Sequence, residues 1–179
     1  MSDTIEITAF SAADVDDVWA FFQRVPEGDR TLVKEPVADV AVVQAWADDA
    51  RALRYIARID GDVVGYVAVL PGVGWSRHVG ELRLVVDPAV RRQGIGHRLA
   101  RHALRVAIGA SLTKIVVEVV AVQESTIALF TSLGFRAEAL LEGQVQDPAG
   151  NYTDLLVLAN RTDADWGVLV TMGLDEQLD

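Results

Sequence analysis

The segment VVDPAVRRQGIGHRLARHAL, Val85 to Leu104, is the most informative part of this chain. It leaves an apolar strand at Pro88, passes through a glycine turn and enters a helix over about residues 96–108, whose apolar side chains recur at helical spacing. Another apolar strand, TKIVVEVVAV, follows that helix. A strand, a helix and a second strand in succession predict a parallel crossover.

Two arginines and two glycines stand where this helix begins: Arg91, Arg92, Gly94 and Gly96. A helix N-terminus offers unpaired N–H groups and a partial positive charge, and glycines let a phosphate approach the backbone. The arginines would add neutralising charge. The spacing therefore indicates a pyrophosphate cradle, although an ordinary strand-to-helix turn with solvated arginines explains the same residues.

Two other nucleotide-binding patterns do not fit this turn. In GIGHRL, Leu99 stands where a dinucleotide-binding fingerprint requires Gly or Ala. The chain also has no GK[ST] sequence, which a Walker turn requires. Both alternatives are excluded by spacing.

The remaining patterns predict the element order βααβββαβαββ. Alternation in TIEITAF predicts a first strand, and SAADVDDVWAFFQRV and EPVADVAVVQAWADDA predict two helices, with PEGDRTLVKE as a loop between them. Asp60-Gly61 predicts a hairpin turn. Gly109 and Gly134 are predicted to cap two later helices, and QDPAGN to join the last two strands. The fold class is α+β, with a mixed, mostly antiparallel sheet flanked by helices.

Length and composition indicate one globular domain. We predict a single domain over residues 1–160 and an acidic tail over 161–179, in a chain that folds alone or as an oligomer such as a homodimer. The absence of cysteine excludes disulfides, thiolate metal sites and a cysteine nucleophile. MSDTIEITAF does not resemble a signal peptide, and no apolar run approaches the ~18 residues of a membrane span, so we expect a cytoplasmic protein that binds no membrane.

Charge is distributed unevenly along the chain. Residues 1–60 carry 12 acids and 6 bases, residues 61–140 carry 6 and 9, and residues 141–179 carry 8 and 1, which gives net charges of −6, +3 and −7. A nucleic-acid-binding protein would instead concentrate lysine and arginine on one surface. The pattern favours an anionic ligand at the basic middle and a cationic acceptor beside it, and an acidic composition that serves solubility alone is the alternative.

Val85–Leu104 resembles the acyl-CoA-binding segment of the GNAT acetyltransferase superfamily, whose signature [QR]-x-x-G-x-[GA] follows a V-x-P strand end. A second segment, VEVVAVQESTIALFTSLGF, resembles the family's later strand and helix with its closing L-G-F. The resemblance covers most of residues 5–159. It implies a GNAT-like fold, acetyl-CoA or another acyl-CoA as cosubstrate, and transfer of the acyl group to a primary amine by direct attack.

The resemblance also implies how the cosubstrate is held. In the family two parallel strands, here LRLVV and IVVEVV, splay apart, and the pantetheine arm completes their hydrogen bonds as an added strand would. The pyrophosphate would accept from backbone N–H groups between Arg91 and Gly96. The cofactor-binding residues implied are Leu84, Val85, Val86, Arg91, Arg92, Gln93, Gly94, Ile95, Gly96, Gln123 and Phe130.

Catalysis requires a base for the amine and a proton for the leaving thiolate. Family members often place a glutamate on the strand that corresponds to ELRLVV, so Glu81 is the candidate base, acting through water. The alternative is that Glu81 is an ordinary solvent-facing glutamate. The family's usual acid is a tyrosine, but Phe130 stands there, and Gln123 replaces the family's Asn. The thiolate therefore leaves unassisted, or receives its proton from water or from another group such as Tyr152.

Other chemistries are disfavoured. The spacing of the three histidines does not suit a metal site, and no G-x-S-x-G marks a serine hydrolase. Because Phe130 cannot donate a proton, a second class of function stays open. It is an acyl-CoA-binding regulatory or sensor domain with little or no turnover.

Overall fold

A computed structural model describes residues 5–30, 33–147 and 149–162. The principal elements are β1 (Glu6–Ala9), α1 (Val15–Arg24), α2 (Glu27–Arg30), α3 (Val40–Trp46), β2 (Leu53–Ile59), β3 (Asp62–Pro71), β4 (Val79–Val86), α4 (Ile95–Gly109), β5 (Lys114–Val120), α5 (Glu124–Ser132), β6 (Arg136–Gln146) and β7 (Tyr152–Asn160). Short 3-10 turns occupy Ala12–Asp14, Gly74–Ser76 and Pro88–Val90.

This order matches the predicted one except for α2, a four-residue helix inside the segment predicted to be a loop. Pro26 explains the difference. Its carbonyl oxygen accepts from the backbone N–H groups of Asp29 at 2.9 Å and Arg30 at 3.0 Å. Because proline fixes its own φ near the helical value, it favours the start of a helical turn.

The strands form a seven-stranded sheet in the order β1-β2-β3-β4-β5-β7-β6. The β4–β5 pair is parallel, from Val79 opposite Lys114 to Leu82 opposite Val117. The pairs β1–β2, β2–β3, β5–β7 and β6–β7 are antiparallel. The fold is therefore the α+β class with a mixed, mostly antiparallel sheet that the sequence predicts.

The described chain divides into two compact units. The first runs to Leu70 and includes Arg83–Ala103, and the second contains Pro71–Leu82 and the residues from Leu104 onward. β4 contributes to both. The single domain over residues 1–160 stays a prediction, and residues 163–179 of the predicted acidic tail lie outside the described residues.

The first unit buries its side chains on both faces of β3. On one face Tyr66 packs with Phe22 of α1 and Trp46 of α3, with ring centroids 5.5 and 5.0 Å away. On the other face Gly65 lies under α4, where an added β-carbon would come within 2.7 Å of Leu99 Cδ1. Alternation along the strand sends neighbouring residues to opposite faces, so β3 is buried between helices.

The second unit is built on β5, whose side chains alternate between buried and half-buried. β7 pairs along β5 from Asn160 opposite Ile115 to Leu155 opposite Val120. β6 pairs with β7 and forms the edge of the sheet, with nearly all of its residues exposed. The predicted apolar strand TKIVVEVVAV is thereby confirmed as an interior strand.

Three turn predictions can be checked against backbone angles. Asp60 and Gly61 have φ of 51° and 92°, and Gly134 has φ of 84°, so the hairpin turn and the cap after α5 are confirmed. The cap predicted at Gly109 is wrong, because that glycine is the last residue of α4. Ser111, with φ of 62°, takes the left-handed position, and Leu112 N donates to Ala107 O at 3.0 Å.

None of the helices in the described residues is long and apolar enough to cross a membrane. The cytoplasmic location stays a prediction.

Candidate active site

The end of β4 and the start of α4 lie in the first unit and form one continuous segment. Val85 is buried in the core with Tyr66, whereas Leu84 and Val86 are half-buried. Asp87 leaves the strand with its backbone N–H bonded to Val64 O at 2.9 Å. Its side chain accepts from Ala89 N, also at 2.9 Å, which fixes the short turn at Pro88–Val90.

Two residues in the following turn adopt left-handed backbone angles. Arg92 has φ of 64° and Gly94 has φ of 80°. Both are exposed, as is Gln93 between them. At Gly94 no atom lies within 4 Å of the position that a β-carbon would occupy, so the requirement for glycine there is conformational rather than steric.

The turn leaves the N-terminus of α4 open. The first helical hydrogen bond is donated by Arg98 N to Gly94 O at 3.0 Å, so the N–H groups of the three preceding residues, 95–97, lie at the open end of the helix. Ile95 is buried and anchors the helix, and Gly96 is half-buried. The first turn of the helix contains no acidic side chain, which is favourable for an anion at this end of the helix dipole.

His97 lies in that first turn. Burial, together with the nearby charge of Arg101, lowers the pKa of His97 below its ordinary value of 6.5. The imidazole is therefore neutral near pH 7. The positive charge at this end of α4 comes from the helix dipole and the arginines.

The two arginines of the turn have different surroundings. Arg91 donates from Nη2 to Asp29 Oδ2 at 2.6 Å and from Nε to Val86 O at 3.3 Å. Arg92 is exposed and makes no ion pair within the described residues. Only the arginine and glycine spacing was visible in sequence, since Asp29 is 62 residues from Arg91.

Four predicted site residues lie in the second unit. Glu81 is half-buried in β4, opposite Val116 of β5. Gln123 is the N-cap residue of α5, and its buried Oε1 has no hydrogen-bond partner in the described part of the chain. Tyr152 is the first residue of β7 and is 70% exposed.

The fourth of these residues, Phe130, is 1% exposed and packs edge-on against Phe135, with ring centroids 5.1 Å apart. The side chain predicted to stand at the position of the family's tyrosine is thus part of the core of this unit. Tyr152 and Gln123 lie at the carboxyl end of β5, because Asp154 O of β7 accepts from Ala121 N at 2.9 Å. Glu81 is paired nearer to the other end of β5.

The sequence analysis did not identify a buried charged cluster in the first unit. Arg54, 6% exposed, donates to Tyr66 Oη at 2.7 Å and to Asp49 Oδ2 at 3.2 Å. Glu35 Oε2 lies 3.9 Å from Arg54 Nη1 and 3.6 Å from Arg83 Nη1. Burial raises the pKa of Tyr66 well above its ordinary value, and the charge of Arg54 opposes that shift.

Sequence does carry one indication of this cluster. Arg54 lies two residues before buried Ile56 in β2, and Arg83 lies two residues before buried Val85 in β4. Residues two apart in a strand share a face, so each arginine lies on a core-facing side of its strand. A charged residue at such a position requires a partner. The partner Glu35 is too distant in sequence to be recognised.

Across the residues that the structure describes, no group of three or more histidine, aspartate or glutamate side chains is arranged to hold a metal ion.

Comparison with known proteins was made by sequence and by structure. Residues 16–135 match the Acetyltransferase (GNAT) family. An 89-residue stretch, 49% of this chain, is 35% identical to mycothiol acetyltransferase from Rhodococcus jostii (strain RHA1). That stretch spans 28% of the length of that relative.

Solved structures share the fold at low sequence identity. The GNAT-family acetyltransferase from Streptococcus pneumoniae has a TM-score of 0.77 and 16% identity, over 88% of this chain and 99% of the other. yncA from Salmonella typhimurium, solved with its cofactor acetyl-CoA, has a TM-score of 0.75 and 18% identity, over 88% and 93%. Ribosomal-protein-alanine N-acetyltransferase from Brucella melitensis has a TM-score of 0.75 and 22% identity, over 87% and 99%.

The chain belongs to the GNAT acetyltransferase family, because the family match spans well over half of its length. The resemblance found in Val85–Leu104 is thereby confirmed. At identities of 16–22% the structural likenesses establish the fold alone.

Proposed function

We propose that this chain is an N-acyltransferase that moves an acetyl or other short acyl group from acyl-CoA to a primary amine. The observation that carries the proposal is the geometry between β4 and α4. Left-handed Arg92 and Gly94 lead into a 15-residue helix whose open N-terminus carries no acidic side chain. Such a terminus suits a pyrophosphate. The function is assigned to one domain over residues 1–160.

Cosubstrate binding would use the segments that the family resemblance implies. Backbone N–H groups of Arg91–Gly96 and the charge of Arg92 would bind the pyrophosphate. The pantetheine arm would lie along Leu84–Val86. Gln123 would offer its buried, unpartnered Oε1 as an acceptor.

Acyl-CoA supplies an activated thioester carbonyl. The amine nitrogen would attack that carbon, so that a C–N bond forms and the C–S bond breaks, releasing the CoA thiolate. A cationic amine must first give up its ammonium proton to solvent, since only the neutral nitrogen has the lone pair that attacks. Glu81, acting through water, would take the proton that the nitrogen loses as the amide forms. Phe130 has no proton to give and is buried, so the thiolate proton would come from water or from exposed Tyr152.

The acceptor we propose is a cationic amine on a small molecule or a peptide. Acidic residues dominate both ends of the chain, with net charges of −6 over residues 1–60 and −7 over 141–179. A negative field raises the local concentration of a cationic substrate, and salt weakens it over a Debye length of about 8 Å. The Michaelis constant for the amine should therefore rise with salt, and a flat response would remove this part of the proposal.

Phe130 favours a second candidate, an acyl-CoA-binding sensor domain without turnover. Free-thiol release from acetyl-CoA across a panel of primary amines separates the two functions. Transfer predicts thiol release that depends on the amine, with the acetylated amine seen by mass spectrometry. Acetyl-CoA binding without release across the panel would support the sensor and overturn the transferase.

A further inference from the structure

Two ion pairs connect the turn before α4 to the helices that follow β1. Arg91 Nη2 lies 2.6 Å from Asp29 Oδ2 of α2, and Arg24 Nε, at the end of α1, lies 3.6 Å from Asp87 Oδ2. Arg24 also donates to Val63 O at 2.9 Å. The entry to the turn and its middle are thus each held by a charged contact within the first unit.

The guanidinium of Arg91 donates two hydrogen bonds within the first unit. Nε donates to the carbonyl oxygen of Val86, the last residue of β4, and Nη2 donates to Asp29. One side chain therefore links the end of the strand to α2. Two of its five N–H donors are used inside the protein, in directions fixed by the planar group.

The residue after Arg91 needs such support. Arg92 has φ of 64°, a left-handed conformation that is unfavourable for a residue other than glycine. Such conformations persist where the surrounding structure holds them in place. The bonds of Arg91 lie directly before this residue.

We infer that Asp29 is a positioning residue for the acyl-CoA turn. Its ion pair with Arg91 holds that side chain between β4 and α2. The N–H groups of Arg91–Gly96 and the side chain of Arg92 are thereby oriented for the pyrophosphate before it binds. The inference rests on the proposed function for the identity of the ligand. The two arginines then have different roles. Arg91 fixes the conformation of the turn, and Arg92 contacts the anion.

Electrostatics alone predicts the opposite effect for Asp29. Removing a negative charge beside the binding site of a polyanion strengthens binding, because it removes a Coulomb repulsion. If Asp29 only occupied Arg91 until phosphate displaced it, Asp29→Asn would bind CoA more tightly. Weaker binding by this variant therefore reports a positioning role.

The test combines calorimetric titration with CoA and amide hydrogen exchange without ligand. Asp29→Asn and Arg91→Gln should each weaken CoA binding about tenfold, the scale of one charge-assisted hydrogen bond. The double variant should lose no more CoA affinity than either single variant, since both substitutions remove the same ion pair. Asp29→Glu should restore affinity, and Glu27→Gln in the same helix should leave it unchanged.

Exchange at the amides of residues 92–97 should be faster in ligand-free Asp29→Asn than in the wild type. This readout needs no ligand, so it stands even if the wild type fails to bind CoA, which would contradict the proposed function alone. Unchanged exchange, tighter CoA binding by Asp29→Asn, or additive losses in the double variant would each overturn the positioning role.

Discussion

Gly65 of β3 packs directly against Leu99 of α4. A β-carbon at position 65 would lie 2.7 Å from Leu99 Cδ1, closer than two carbon atoms normally approach. The same β-carbon would lie 3.4 Å from Ile95 Cγ2, at the first residue of α4. The glycine therefore sets the distance between the sheet and the beginning of the helix.

Gly65→Ala should destabilise the protein by about 1–3 kcal/mol through overpacking under α4. Urea unfolding measures this free energy. Gly109→Ala is the matched control, because it lies in the same helix with no atom within 4 Å of its added β-carbon, and it should not destabilise. Equal stability of Gly65→Ala and the wild type would show that the Leu99 side chain makes room for the added methyl group without cost.

Tyr66→Phe should destabilise the fold by about 1–3 kcal/mol, because it removes the buried hydroxyl that accepts from Arg54 and leaves a charged donor unsatisfied. The ring and its stacking on Trp46 stay in place, so the loss reports the hydrogen bond. Tyr152→Phe, which changes an exposed hydroxyl, should alter the free energy of unfolding by less than about 0.5 kcal/mol. Equal losses in both variants would contradict this role for the Arg54 contact.

Stability should fall as the pH decreases below about 6.5, and His97 should account for part of the fall. Burial, with Arg101 nearby, lowers the pKa of His97 in the folded protein, whereas in the unfolded chain it titrates near its ordinary 6.5. Above that pH both states hold a neutral imidazole. Below it the unfolded state binds the proton first, so the free energy of unfolding decreases until the folded pKa is passed.

Urea unfolding across this pH range tests the assignment to His97. His97→Gln should show a shallower decrease than the wild type, and His78→Gln, in an exposed loop, should behave as the wild type does. A wild-type slope in His97→Gln would mean that other groups cause the pH dependence.

Most of the fold could be predicted from sequence because its determinants are local. Asp60-Gly61 and Gly134 mark their turns through backbone angles that few other residues accept. The Gly109 prediction failed because α4 ends at that glycine and the left-handed residue lies two positions later, at Ser111, where hydrogen bonds rather than residue type support the angle. Helix α2 was missed because it has only four residues.

The site was predictable only where it is contiguous in sequence. The arginine and glycine spacing of Arg91–Gly96 predicted the turn into α4, since turn and helix are neighbours along the chain. The contact of Arg91 with Asp29 and that of Arg83 with Glu35 join residues far apart in sequence. Such pairs depend on tertiary packing, and the acidic residues of this chain offer many equivalent partners.

Glu81→Gln should lower kcat by about 10²–10⁴-fold, the range that a general base contributes, and leave acetyl-CoA affinity unchanged. In the wild type the rise of kcat/KM with pH should report deprotonation of the base, and this limb should be lost in the variant. The measurement is a pH–rate profile for an active amine. An unchanged profile in Glu81→Gln would rule this carboxylate out as the base.

Calorimetric titration with acetyl-CoA is the decisive experiment, because every proposed role depends on binding of the cosubstrate at the turn before α4. We expect wild-type binding with a dissociation constant between about 1 µM and 1 mM, the range of enzyme Michaelis constants. Gly94→Val should abolish binding while circular dichroism shows a folded protein, since valine does not accept φ of 80°. No heat of binding to the folded wild type at millimolar acetyl-CoA would contradict the claim.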